Sequence, residues 1–267
     1  MKNCIPLLLL FHFKNIPWLS LSADRYIELD LSILPQLVSL NINRCLFDTT
    51  IIAEHSLLQS LGLYSVTGLN RCQCCFNDFG MLRSLESVHV SECRILLKSD
   101  ETDSLACLKT YSGHPMYLLN SRLDTLKRLN RLTFEGVNSL CKFAQEFELA
   151  SLTELNLASS PFSLDVFASF VKTFMLATLV FFLSSGHVNL DSTPVFSSVK
   201  NLEIIGTNFK NFSLLFSKLP NGEYSILNGM CNIHDCSRFH SCPNLRLLYI
   251  DTALFYLETL DELTELR

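Results

Sequence analysis

Much of what enzymes and nucleic-acid readers are built from is scarce in this chain. Only nine glycines occur in 267 residues, and none sits in a G-x-x-x-x-G-K-[S/T] loop or a G-x-S-x-G elbow. That removes the usual cradle for phosphate and the usual turn for a nucleophilic serine. Basic residues number 21 against 26 acidic ones, with no basic run, so the electrostatic footprint of a nucleic-acid binder is missing. Long apolar runs are missing as well. The most apolar stretch, residues 174–183, is preceded by Lys172 and reaches about half of the ~20 residues that a membrane-spanning helix requires. There is a single tryptophan, and charged residues make up only 18% of the chain against 48% hydrophobic ones, which excludes a disordered chain. The eleven cysteines are odd in number and scattered, without the paired flanking clusters that staple extracellular solenoids. That usage predicts a reducing, cytoplasmic setting.

What is present is repetition. Ser84 to Ile95 reads S-L-E-S-V-H-V-S-E-C-R-I, and its L-x-x-L-x-L-x-x-C frame recurs along the chain. Anchors fall at Ile16, Leu37, Leu58, Leu85, Leu105, Leu129, Leu152, Leu176, Val199, Tyr224 and Leu245, in steps of 20 (85 to 105) to 27 residues (58 to 85). Side chains alternate along a strand, so Val88 and Val90 point inward while Ser87, His89 and Ser91 point outward. The coils anchored at Leu105 and Tyr224 fit badly, with Thr110 and Gly229 at the third inward position, and distorted strands are expected there. Between seeds the apolar period changes from 2 to 3.6. Leu140, Phe143, Ala144 and Phe147 form one stripe, Phe167, Phe170, Val171 and Phe174 a second, and Phe209, Phe212, Leu215, Phe216 and Leu219 a third, each predicting an outer helix packed on the strands. Residues 67–79, with Cys72, Cys74 and Cys75, and the polar stretch 98–104 read as insertions. The L-x-x-L at residues 260–266 starts another coil without a polar cap, so the chain is expected to be a fragment.

These residues resemble the leucine-rich repeat family over positions 16 to 267. The cysteine-bearing seeds L-V-S-L-N-I-N-R-C (37–45) and L-E-S-V-H-V-S-E-C (85–93), with S-C-P-N-L-R-L-L-Y-I (241–250), are similar to the repeats of F-box substrate receptors and of nucleotide-binding immune receptors. The resemblance implies an α/β solenoid (a horseshoe) with parallel strands on the concave side and helices on the convex side. It also implies one domain over 1–267 with about ten to eleven repeats. The function it implies is non-enzymatic: a scaffold that binds a protein partner through the concave strand face. Alternatives are the substrate-recognition part of an F-box-type ubiquitin-ligase receptor, and a secreted or cell-surface recognition protein if residues 1–23 are a signal peptide.

No cofactor, nucleic acid or membrane span is called for. Cys231, His234, Cys236, His240 and Cys242 form the one metal-like grouping, but it lacks a tight C-x-x-C, and no metal site is assigned. Cys45 and Cys93 read as small thiols filling the bend after a strand. Glu101 and Asp103 read as solvated loop acids. Partner-binding candidates are therefore the outward strand residues: His89 and Tyr111 in the polar half, then Arg131 with Glu135, Glu154, Phe182, Glu203 with Ile205, and Tyr249 with Asp251. From Val180 onward this face turns apolar, which is the mark of a partner site.

Overall fold

Eight of the coils among the described residues open on a tight turn. The amide of the anchor residue donates to the carbonyl three residues earlier: Leu37 to Leu34, Leu58 to His55, Leu85 to Leu82, Leu108 to Leu105, Leu129 to Leu126, Val199 to Phe196, Gly222 to Leu219 and Leu245 to Cys242, at 3.0–3.2 Å for most and 2.9 Å for Leu108. The repeat is thus longer than its seed. A leading apolar residue, three positions before the anchor, is buried with it, as for Leu34, Leu82, Leu105, Leu126 and Phe196. The chain then runs straight into a strand.

The computed structural model describes residues 14–22, 31–44, 55–66, 74–76, 82–91, 95–97, 105–113, 126–135, 151–161, 175–183, 195–206, 212–230 and 241–252. Residues 1–130 and 131–267 form two compact units. The first holds β1 (Trp18–Ser22), β2 (Ser39–Asn43), β3 (Ser60–Tyr64), β4 (Cys74–Phe76), β5 (Ser87–Ser91), β6 (Ile95–Leu97) and β7 (Thr110–Gly113). Strands β1, β2, β3, β5 and β7 pair in that order, all parallel. Strands β4 and β6 pair separately, so the insertion at 67–79 carries a strand of its own. The second unit holds β8 (Arg131–Glu135), β9 (Glu154–Pro161), β10 (Thr178–Leu183), β11 (Asn201–Gly206), the helix α1 (Phe212–Phe216), β12 (Tyr224–Met230) and β13 (Leu247–Thr252). Its six strands are parallel and follow chain order.

Rungs are welded by more than the ladder. Just before each strand one carbonyl accepts two successive amides from the next coil, using both lone pairs: Pro17 from Val38 and Ser39, Val38 from Gln59 and Ser60, Gln59 from Glu86 and Ser87, Ala177 from Lys200 and Asn201, Lys200 from Glu223 and Tyr224. Behind them the inward rows close on one another. In the first unit Leu40, Leu61 and Val88 in one row, and Ile42, Leu63 and Val90 in the next, are all buried, and in the second unit so are Leu132 and Phe134. Each such side chain contributes roughly 1.5–3 kcal/mol relative to exposure.

Two expectations need correction. The coil read as poor at Leu105 is regular once its turn is placed, whereas β12 does shift register against β13 between Asn228 and Met230, around the Gly229 at which distortion is expected. Val88 is in register with Tyr111, so Leu108 is the anchor, Leu105 its leader and Tyr111 an inward residue, 2% exposed. Tyr111 is a core residue rather than a face residue, and Thr110 points outward. Its ring needs room, and Gly113 supplies it at the position that Val90 fills one coil earlier: a Cβ there would lie 2.8 Å from the Tyr111 hydroxyl oxygen and 2.8 Å from the Val90 carbonyl. Likewise Leu202 is in register with Ser225 and Ile204 with Leu227, which makes Gly222 the anchor and turns Tyr224 and Ile226 outward.

Outer helices appear among the described residues only as α1 and a 3-10 turn at Leu31–Ile33. Of the stripe expected there, Leu215 and Phe216 on α1 and Leu219 just after it are buried, while Phe209 and the Phe212 side chain lie outside the described part. The stripes at 140–147 and 167–174 lie outside the described residues, as do Cys45, Cys93, Glu101, Asp103 and residues 260–267. No helix among the described residues is long and apolar enough to cross a membrane.

Candidate functional site

The strand side chains that do not enter the core define the surface of interest. In the first unit this surface is polar: Ser39, Asn41 and Asn43 on β2, Ser60 and Tyr64 on β3, and Ser87, His89 and Ser91 on β5 are all half-buried against their neighbours. Gly62 sits among them, and a Cβ there would come within 3.1 Å of the Tyr64 ring and 3.3 Å of the Asn41 amide. The bare backbone lets Tyr64 lean toward β5 and stack on His89, with ring centroids 4.5 Å apart and planes 28° apart. His89 is thereby packed on an aromatic neighbour within an amide and hydroxyl surface. Among the described strand residues of this unit, Trp18 on β1, 62% exposed, is the large apolar exception.

In the second unit the registers line the outward residues into rows. The first row runs Arg131, Glu154, Thr178, Asn201, Tyr224, Leu247, and the second runs Thr133, Asn156, Val180, Glu203, Ile226, Tyr249. Arg131 grips Glu154 with both prongs, Nε to Oε2 at 2.6 Å and Nη2 to Oε1 at 3.0 Å. The hydrogen bond to the Glu154 carboxylate, with its charge, raises the Arg131 pKa further above its ordinary value. These two residues therefore satisfy one another. Next along the row, Asn201 Nδ2 donates to Thr178 Oγ1 at 3.0 Å.

Beyond Asn201 the chemistry changes. Tyr224 is 42% exposed and lies in register with Leu247, 46% exposed; Ile226 lies in register with Tyr249, 54% exposed. Ile205 on β11 is half-buried beside them. In the third row Asn228 is in register with the exposed Asp251, and Asn228 Nδ2 donates to Glu203 Oε1 at 3.2 Å. At the opposite, upstream end of these strands Lys200 Nζ holds Glu223 Oε1 at 2.9 Å. That hydrogen bond, helped by the charges of Lys200 and Arg246, keeps the Glu223 carboxyl below its usual range.

Of the outward candidates, His89, Arg131, Glu154, Glu203, Ile205, Tyr249 and Asp251 are placed on the strand face, while Tyr111 is not. The backbones of Glu135 and Phe182 pair within β8 and β10, and their side chains lie outside the described part. Tyr224 and Ile226 are the residues that reading by seed missed. Placing each anchor three residues after a buried leader would have found them.

Chemistry of other kinds is not assembled here. No group of three or more His, Cys, Asp or Glu side chains among the described residues could hold a metal ion. Cys242, the described member of the metal-like grouping, is a core leader residue. Its Sγ lies 3.1 Å from the carbonyl oxygens of Phe216 and Leu219, and burial pushes its thiol up to about 12. A thiol so held is a poor nucleophile and a poor ligand.

No family model matches the chain, and no curated protein matches it. Solved structures do. An internalin of Listeria monocytogenes covers 95% of this chain and 72% of its own at 16% identity, with a TM-score of 0.59. A leucine-rich repeat protein of Leptospira interrogans covers 100% and 69% at 16% identity, with a TM-score of 0.63. The chain has the leucine-rich repeat fold: parallel strands stacked as a solenoid.

Proposed function

We propose that this leucine-rich repeat chain is a non-enzymatic scaffold that recognises a protein partner through its strand face, which we take to be the concave one. The observation that carries the reading is the contrast between the strand faces of the two units, each taken by itself. Hydroxyls and amides in the first unit give way to adjacent, half-exposed Tyr224, Ile226, Leu247 and Tyr249 in the second. A cluster of that kind on a soluble surface is characteristic of a binding site, since it costs solvation unless covered. Strand-mounted side chains also lose little freedom on binding, because the ladder already fixes their backbones. The reading keeps one continuous domain with outer helices over 1–267, and a reducing, cytoplasmic setting suggested by the scattered, odd-numbered cysteines of the sequence.

The test is a comparison of surfaces. A partner isolated on the full chain would be titrated against His89→Ala, Glu203→Gln and Tyr249→Ser, and against Met175→Ser and Val195→Ser, two exposed residues off the strands. Weakening by strand-face variants alone is expected. Weakening confined to the off-strand pair overturns the proposal.

A further inference from the structure

We infer that the β11–β13 face takes a protein segment in which an aromatic or aliphatic side chain sits next to a lysine or arginine. This rests on the strand-face reading above and deepens it by naming the end that binds and the chemistry it fits. Neighbouring strands are about 4.8 Å apart and same-face residues along a strand about 7 Å apart. Tyr224, Ile226, Leu247 and Tyr249 therefore frame a patch of roughly 5 by 7 Å between their Cα atoms, the footprint of one large side chain. Two of the four are tyrosines, which bury area on binding at low entropic cost and keep a hydroxyl for the rim.

Charge fixes what accompanies that side chain. The three strands read N-L-E-I-I-G, Y-S-I-L-N-G-M and L-L-Y-I-D-T, and contain two acidic residues and no basic one. Both acids point to the strand face, Glu203 beside Ile226 and Asp251 one row beyond Tyr249. They sit two strands and one row apart, about 12 Å. Among the described residues the nearby cations, Lys200 and Arg246, lie at the other end of the strands and face Glu223, so they do not neutralise this acidic end. A cationic side chain arriving with an apolar neighbour would be drawn to Glu203 and Asp251, whereas a phosphate backbone or an acidic segment would be repelled.

The test uses random twelve-residue peptides displayed on phage and panned on the full chain at low salt. Expected enrichment is an aromatic or leucine within two positions of Lys or Arg. Synthetic versions of those peptides should bind Tyr249→Ser about tenfold or more weakly. They should bind the Glu203→Gln, Asp251→Asn double variant with reduced affinity and a shallower salt dependence. All three side chains are at the surface, and unchanged circular dichroism confirms that each variant folds. Enriched peptides that need Tyr249 but carry no basic residue overturn the inference, as does Tyr249-dependent self-association in sedimentation velocity. Peptides indifferent to Tyr249 but lost on His89→Ala overturn it and leave the strand-face reading standing. Absence of enrichment overturns it, and peptides indifferent to every strand-face variant overturn both.

Discussion

Tyr111→Ser should unfold the first unit rather than remove a binding contact. The Tyr111 ring is 2% exposed and fills the inward position that Val88 holds in the neighbouring coil. Truncating a buried aromatic costs about 3–5 kcal/mol, the lost transfer energy plus a cavity. The counterpart is Gly113→Ala. Its added methyl would meet the Tyr111 hydroxyl at 2.8 Å, the ring carbon Cζ at 3.2 Å and the Val90 carbonyl at 2.8 Å. The ring could retreat, but the Val90 carbonyl belongs to a parallel strand and cannot, so overpacking of about 1–3 kcal/mol is expected. Because ring and methyl contest the same space, the two changes should not add. Tyr111→Ser with Gly113→Ala should cost less than the sum of the single changes by roughly 0.5–3 kcal/mol. Urea unfolding followed by circular dichroism measures all three variants. Wild-type midpoints for Tyr111→Ser, together with lost partner binding, would refute the inward placement and return Tyr111 to the face.

The second irregular coil yields gains instead of losses. Gly222→Ala should stabilise by about 0.4–1 kcal/mol, since a Cβ there makes ordinary contacts, 3.4 Å to the Leu219 carbonyl and 4.0 Å to Cys242 Sγ, while the unfolded chain loses freedom. A lower melting temperature would show that the anchor turn needs glycine. Ser225 Oγ is buried with no hydrogen-bond partner among the described residues. Ser225→Ala should therefore raise stability by about 1 kcal/mol in chemical denaturation, and a loss would mean that the hydroxyl is satisfied. Cys242 gives a pH dependence. Burial raises its thiol from 9.0 to about 12, so below pH 9 both folded and unfolded chains hold the proton, and above it only the unfolded chain releases it. The stabilising contribution is whole below pH 9 and fades toward pH 12, at about 1.4 kcal/mol per pH unit. The difference in unfolding free energy between wild type and Cys242→Ala should shrink accordingly, and a flat difference across that window would contradict the burial.

The architecture could be read in the residues because a coil states its period many times. Leu37, Leu40 and Ile42, or Leu85, Val88 and Val90, each mark one anchor and two inward strand positions, and all six are buried. The frame of individual coils was harder to read, for a physical reason. The pattern L-x-x-L occurs twice per coil, once from leader to anchor and once from anchor to strand, so Leu105 and Leu108 mimic an anchor and its strand three residues early. A slip of an odd number of residues exchanges the faces, which is how Tyr111 was assigned outward. At Tyr224 the difficulty was composition. The true inward residues Gly222 and Ser225 are small, and the seed takes its first apolar residue, Tyr224, from an outward position while its second, Leu227, is inward.

That inversion carries the functional argument further than the list of exposed residues does. In the neighbouring coils Val199 and Leu202, or Leu245 and Leu248, occupy the two positions held by Gly222 and Ser225. A leucine-sized side chain at each would contribute roughly 1.5–3 kcal/mol to the fold. The β12 coil instead holds a buried hydroxyl inside and carries its bulk outside, as Tyr224 and Ile226 facing Leu247 and Tyr249. Leu219 and Leu227 keep the rest of that coil's interior apolar, but small residues at two inward positions weaken the solenoid locally, and local rule-breaking of this sort is expected where a surface is committed to binding. The polar rungs do not do this: Leu61 and Leu63, or Val88 and Val90, stay inside while Ser60, Ser87 and His89 stay out. The coil with the least regular interior is thus the one that presents the apolar surface, and one substitution pattern accounts for both.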